Sequence, residues 1–287
     1  MTNIDFVSTT VNYGVSPVDA STRAYQALNA DPITGQRDRN WTLQSHEIQV
    51  ENLRGREDTV SLDTAGFRFY TSPSKYKGSF LDDEEIRREY YPESEELIKQ
   101  LTGATKVVFF DHTVRRNQPG VVDNPSARQP SIQVHVDQTP TSSIARVHRH
   151  LSTSSSSSSS PSEAQELLKR RFQIINLWRP IVVPALDFPL ALCDYRSVDP
   201  KNDLFPVALV CPDREGETFV VKYNPDHKWK YVRGMTPDDV VLLKCFDSVQ
   251  DGNVAVFTPH TAFPDPTTPE DAPRRKSIEL RALVFYE

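Results

Sequence analysis

Ser131-Ile132-Gln133-Val134-His135-Val136-Asp137 is the stretch on which the reading of this chain turns. The run alternates, so Ile132, Val134 and Val136 share one face of a strand and Gln133, His135 and Asp137 share the other. The apolar face can pack while the opposite face offers an imidazole and a carboxylate to one ion. One more histidine completes a set of two histidines and one carboxylate, which leaves three positions on Fe(II) for a cosubstrate and dioxygen. The plainer reading of the same triplet is a strand with polar, solvated side chains.

His46, His112, His148, His150, His227 and His260 are the candidates for the third ligand. His148 and His150 fall in a basic stretch that reads as solvated, and His227 in a strand-end turn. His112 follows a strand and is a candidate neighbour of the site. His260, just after Val254-Ala255-Val256-Phe257, is best placed, since late strands of a jelly roll fold back beside early ones.

Downstream, Arg275-Lys276-Ser277-Ile278-Glu279-Leu280-Arg281-Ala282-Leu283-Val284-Phe285 alternates again. Ile278, Leu280, Ala282 and Val284 form an apolar face, while Arg275, Ser277, Glu279 and Arg281 point the other way. Arginines on an inward face are costly unless they meet an anion or buried carboxylates. Arg275 with Ser277 can clamp the distal carboxylate of a dicarboxylic cosubstrate through two guanidinium hydrogen bonds and one from the hydroxyl. Arg281 has the same strand parity and is the second choice. An Arg275–Glu pair or an Arg281–Glu279 pair on a solvated edge is the reading without function.

Around these motifs the pattern is mostly β. Strand-like runs occur at 47–50, 66–70, 106–110, 172–178, 206–210, 217–223, 240–246, 253–258 and 277–286. The clearest helical pattern spans 82–101, with Asp82, Asp83, Glu84 and Glu85 in the first turn, a split at Pro92 and a stop at Gly103. Residues 162–171 read as a second helix. Ser154 to Ser160 is an unbroken serine run that cannot pack a core, so 152–162 is expected to be a disordered surface insert. Together these give a mainly β fold with flanking helices (α+β) and a jelly-roll core. The expected organisation is one domain over 1–287, with the strands and loops of 1–80 packing on the core.

Composition narrows the function. A hydrophobic content of 37%, 25% charged residues and a mean hydropathy of −0.52 describe an ordinary globular chain. The net charge of −6, with no basic stripe among aromatics, gives no signature for nucleic acid. No run approaches roughly 18 apolar residues, so no membrane span is expected. Cys193, Cys211 and Cys245 are odd in number and far apart, which argues against a disulfide framework and a cysteine-rich zinc site. With no signal-peptide pattern at the N-terminus, the expected compartment is the cytoplasm.

A His-x-Asp strand, a late histidine and a following Arg-x-Ser strand, in that order, follow the layout of Fe(II)/2-oxoglutarate oxygenases. The chain resembles the fungal family named for CmcJ and NvfI, which includes gibberellin-desaturase-like and AsaB-like hydroxylases. The resemblance is carried by Thr102-Gly103-Ala104, by Phe109-Phe110-Asp111-His112-Thr113 with Arg115, and by His135-Val136-Asp137-Gln138-Thr139. It continues in Ile175-Asn176-Leu177-Trp178-Arg179-Pro180, Phe246-Asp247-Ser248, Pro259-His260-Thr261-Ala262-Phe263 and Arg275-Lys276-Ser277-Ile278-Glu279. The serine run departs from it.

The resemblance implies a double-stranded β-helix core, with His135, Asp137 and His260 as ligands of Fe(II). It implies 2-oxoglutarate and O2 as cosubstrates, with Arg275 and Ser277 on the 2-oxoglutarate carboxylate and Arg281 as the alternative. Arg179 is a candidate for the cavity wall, and Tyr195 and Arg196 for a substrate channel. The reaction implied is hydroxylation, desaturation or endoperoxide formation on a small molecule of secondary metabolism, terpenoids and meroterpenoids among them. A homodimer is left open. Two other readings fit the residues: a metal-dependent oxygenase that does not use 2-oxoglutarate, and a non-catalytic jelly-roll binding protein.

Overall fold

The strands that carry the two arginine-bearing and histidine-bearing motifs lie in different sheets, and the site forms where those sheets face each other. The computed structural model describes residues 5–17, 19, 21–151, 162–211 and 214–287. In chain order β1 (Phe6–Val15), β2 (Ala24–Ala27), β3 (Thr42–Asn52) and β4 (Phe67–Thr71) lead into helices α1 (Asp83–Glu85) and α2 (Tyr91–Thr102). Next come β5 (Lys106–Arg116), β6 (His135–Val136), α3 (Pro140–Leu151) and α4 (Glu163–Leu167). The remainder is strand: β7 (Phe172–Pro180), β8 (Leu190–Cys193), β9 (Leu204–Val210), β10 (Glu215–Val221), β11 (Trp229–Tyr231), β12 (Asp239–Asp247), β13 (His260–Ala262) and β14 (Lys276–Phe285).

Among the described residues these strands form two sheets. The larger runs β1-β3-β11-β8-β13-β6-β10-β9-β2, and the smaller runs β4-β12-β7-β14-β5. This is the jelly-roll arrangement expected from the strand pattern, with helices on the outside. Strands of the first 80 residues belong to both sheets, pairing with β9, β11 and β12.

The smaller sheet is apolar on both faces. Outward, Ile175, Leu177, Ile278 and Leu280 pack against Ile86, Tyr90 and Ile98 of the helical segment. Inward, Phe67, Trp178, Val241 and Leu243 meet Leu190 and Leu192 of the larger sheet. This double burial explains why β7 reads as a nearly continuous apolar run, in which Asn176 stands out as a buried amide.

Several elements differ from the sequence pattern. Pro92 does not split the helix; it lies in the first turn of α2, where a missing N–H costs nothing, and a π-turn at Ile86–Tyr90 joins α2 to α1. Asp82 caps α1 through the N–H groups of Glu84 and Glu85, and Gly103 ends α2 at φ 74°. The segment 253–258 is not a strand. Its polar groups are taken up by a loop and side chains instead: Ala255 N–H donates to Asp63 O, and Lys244 Nζ donates to Ala255 O.

Helix α3 was hidden in the basic stretch, because only Ser143, Val147 and Leu151 of it are buried. The serine run lies outside the described residues; Ser162, just after it, closes a capping box on α4.

Candidate metal centre

The site grows from one register pair. In the larger sheet β13 runs antiparallel to β6, and His260 lies directly opposite His135. Their ring centroids are 4.4 Å apart. Asp137, two residues beyond His135, turns to the same side. His135 Nε2 is 3.3 Å and His260 Nε2 3.9 Å from Asp137 Oδ1. One donor atom from each residue falls within 4.8 Å of the others.

Both imidazoles are fixed from behind. His135 Nδ1 donates to the carbonyl of Gln133 at 2.8 Å, and His260 Nδ1 donates to that of Thr258 at 3.0 Å. A carbonyl can only accept, so each neutral ring keeps its proton on Nδ1 and presents an Nε2 lone pair beside the carboxylate. Burial, and His135 alongside, push the His260 pKa down and favour this neutral form.

Asp137 is held from the smaller sheet. Its Oδ2 accepts from Asn176 Nδ2 at 2.8 Å and from Arg281 Nε at 2.9 Å, so Oδ1 is the oxygen left on the histidine side. Burial alone would raise this carboxyl; the Arg281 guanidinium holds it well below the usual carboxylate range. Arg281 makes four hydrogen bonds, donating to Asp137, to Asp111 and Thr113 at 3.0 Å each, and to Glu279. Against the cost of burial, Glu279, Asp137 and Asp111 raise its pKa further. Two neutral imidazoles and one ionised carboxylate oxygen, supplied from one side, suit Fe(II) with its remaining positions open.

Two cavities meet at this cluster. The wide one, about 1440 Å³, reaches from His135, Asp137 and Arg281 to helix α3 and the β9–β10 hairpin. The narrow one, about 20 Å³, is lined by His135, His260, Trp178, Arg275 and Glu279. Arg115, Ser131 and His135 belong to both walls, so the narrow cavity is an inner recess of the wide one. It has room for about one water.

Arg275 lies in that recess. Its Nε donates to Ser277 Oγ at 3.1 Å, one Nη to Phe188 O at 2.6 Å, and its guanidinium stacks over Trp178. Among the described residues it makes no ion pair. Burial, then the charge of Arg115, push its pKa down to about 9.

The structure leaves other predicted residues outside both cavities. Arg179 faces the opposite side of β7 and donates to Ser72 O and Pro237 O, as strand parity requires once Asn176 and Trp178 point inward. Tyr195 packs edge-on against Phe257, and Arg196 is paired with Asp194. His112 turns away from the site, bonding Tyr91 and Asp83. The cause is a bulge: Arg281 pairs with Asp111 but Ala282 with Phe109, so Phe110 is an extra residue. Past it, Asp111, Thr113 and Arg115 face the cavity and His112 faces α2. Arg115, Asn176 and Glu279 went unassigned from the sequence; the signal available was a polar residue inside an apolar strand.

Comparison with known proteins agrees with this geometry. A family model described as "Oxidoreductase/YMDC permease-like domain" matches residues 11–285. Among the described residues, no helix is long and apolar enough to cross a membrane. The "Hydroxylase/desaturase efuI" of Hormonema carpetanum is 35% identical over 264 residues, covering 84% of this chain and 83% of that protein. The "Fe(II)/2-oxoglutarate-dependent dioxygenase nvfI" of Aspergillus novofumigatus is 31% identical over 278 residues, 93% of each chain. The solved structure of the iron and alpha-ketoglutarate-dependent endoperoxidase NvfI superposes with a TM-score of 0.79 at 29% identity, covering 98% of both chains.

Proposed function

This chain belongs to the fungal family of Fe(II)/2-oxoglutarate-dependent hydroxylases and desaturases that includes efuI and nvfI, and on that premise we propose which of its residues run the reaction. It is an oxidoreductase using Fe(II), 2-oxoglutarate and O2 on a jelly-roll core. His135, Asp137 and His260 hold the iron. The observation that carries this assignment is the convergence of two backbone-locked Nε2 atoms on Asp137 Oδ1. Arg275, oriented by Ser277 and Trp178, takes the distal carboxylate of 2-oxoglutarate.

When bound, the iron couples decarboxylation of 2-oxoglutarate to succinate and carbon dioxide with oxidation of an unactivated carbon. The chain's own residues do the rest. Asn176 and Arg281 keep Asp137 turned with one oxygen to the metal side. Trp178 and Leu190 screen the recess from water. The wide cavity positions the substrate, and that position selects hydroxylation, desaturation or endoperoxide formation. The substrate is a small molecule of fungal secondary metabolism, and the three free cysteines and the negative net charge suit a cytosolic enzyme without a nucleic-acid partner.

Anaerobic titration of the metal-free protein with Fe(II), then 2-oxoglutarate, tests the assignment. A visible charge-transfer band should appear in the wild type and be lost in His260→Ala. Retention of the band in that variant would remove His260 from the ligand set.

A further inference from the structure

The wide cavity is walled by arginines whose charges are balanced unequally. Arg23 is paired with Glu215, and Arg37 and Arg128 share Asp123. Arg281 is held by three carboxylates. Arg39 lies over the ring of Trp41. Arg146 and Arg149 of α3 make no ion pair among the described residues.

These two arginines follow from the phase of α3. Ser143, Val147 and Leu151 turn into the core, while Thr141, Ser142, Ala145, Arg146 and Arg149 form the stripe that walls the cavity. The helix dipole accounts for an exposed cation in the last turn, such as Arg149, but does not reach a half-buried one before that turn. Arg146 is such a cation. Its guanidinium lies 4.9 Å from the centre of the Phe110 ring, fixed in place by packing. Burial and the charges of Arg149, Arg281 and Arg214 lower its pKa, and Asp111, the carboxylate that offsets them, is already engaged by Arg281. The wall of the same cavity also includes Leu28, Leu43, Ile132 and Leu209 among its polar groups, so the cavity offers apolar patches as well as a cationic end.

We propose that the substrate is an apolar small molecule bearing a carboxylate, and that Arg146 and Arg149 hold this carboxylate while the carbon to be oxidised reaches the His135–Asp137–His260 cluster. The inference rests on the oxygenase reading above. Anchoring at α3 fixes the length of the substrate between its acid group and its reacting carbon, so the arginines act as a ruler for the site of oxidation.

The test uses decanoate and 1-naphthylacetate with their methyl esters, which keep the body and remove the charge. Binding is measured by calorimetry on the Fe(II)-loaded protein, anaerobically, with saturating 2-oxoglutarate present so that Arg275 is occupied. Each acid should bind about tenfold more tightly than its ester, and raising the salt should erode the difference. In Arg146→Gln/Arg149→Gln the preference should disappear, while Arg146→Lys should restore part of it in the Arg149 wild-type background. The charge-transfer band should be unchanged in all variants, which also reports that they are folded.

Equal binding of acids and esters, or a preference that survives the double substitution, overturns the proposal. So does decyl phosphate binding more tightly than decanoate, which would make the anion a phosphate. A wild-type protein that forms no band overturns the oxygenase reading, and a surviving acid preference would then mark a bound ligand instead of a substrate.

Discussion

Arg275, one residue before β14, and Arg281 within it lie on one face, six positions apart, and the two live under opposite electrostatic rules. Arg281 is surrounded by Asp137, Asp111 and Glu279, and its charge is more than matched. Arg275 has a hydroxyl, a main-chain carbonyl and an indole face around it; burial and then the charge of Arg115 lower its pKa, offset only in part by Glu279 and Asp187, neither of which pairs with its guanidinium. A buried cation that is already matched belongs to the scaffold; one left unmatched is a receptor waiting for an anion. On the function proposed above, the difference favours Arg281 as the residue that positions Asp137 and Arg275, the first choice from the sequence, as the one that meets the cosubstrate.

The harshest way to break the comparison is to remove the matched cation. Arg281→Met strands three carboxylates, those of Asp137 and Glu279 at most a tenth exposed, and should cost about 3–5 kcal/mol of stability in urea unfolding, with iron binding lost. Arg281→Lys keeps a charge but cannot serve three carboxylates at once, and should lower iron affinity about 10–100-fold. A Met variant as stable as the wild type would show the two ends of the strand to be equivalent.

The opposite end should respond in the opposite sense. Arg275→Met removes a cation that forms no ion pair among the described residues, so the metal-free protein should change by less than about 1 kcal/mol or gain stability. What it loses is the response to cosubstrate. In the Fe(II)-loaded wild type, 2-oxoglutarate at 100 times its Kd should add about 2.7 kcal/mol, a rise in Tm of several degrees, and in the variant this rise should vanish. Arg275→Lys should sit between, binding 2-oxoglutarate more weakly because an ammonium cannot grip a carboxylate with two parallel bonds.

How much of this was legible before the structure depends on where alternation holds. β14 alternates without interruption, so its inward set of Ser277, Glu279 and Arg281 was readable, and so were His135 and Asp137. The ladder around them was not: only His135 and Val136 form it, while Val134 bonds singly to Asn12 and Val221, and Ser131 to Ala262. In β5 the extra residue Phe110 reverses the phase, which put His112 near the site on paper and Asp111 and Arg115 there in fact. Arg179 was misplaced for a different reason. It is polar in an apolar run, but so is Asn176, and strand parity lets only one of the two face the cavity. Helix α3 escaped because its buried stripe is one small residue and two aliphatics, masked by Arg146, His148, Arg149 and His150.

A smaller probe asks how far Arg281 depends on its helper. Asn176 gives Asp137 one hydrogen bond, and its own Oδ1 is buried without a partner among the described residues. Asn176→Ala therefore loses a charged hydrogen bond and also removes an unsatisfied atom. The two changes partly cancel, leaving a net loss of about 1 kcal/mol in stability and about tenfold in iron affinity. Iron affinity unchanged in this variant would mean that Arg281 alone sets the carboxylate.

The smallest change moves the matched end toward the unmatched one. Asp111 is half exposed at its contact with Arg281, so the pair is screened by water and contributes little. Asp111→Asn should cost less than about 1 kcal/mol and leave iron affinity within about threefold, since Asp137 and Glu279 still hold the guanidinium. The cation it uncovers should be felt across the cavity instead. With Asp111 neutral, the field at Arg146 loses its offsetting carboxylate, and decanoate should bind about two- to threefold more tightly at low salt, with the gain vanishing at high salt. No gain at low salt would mean that the charges of β14 and α3 act separately, and the contrast between the two arginines would then end at the strand that carries them.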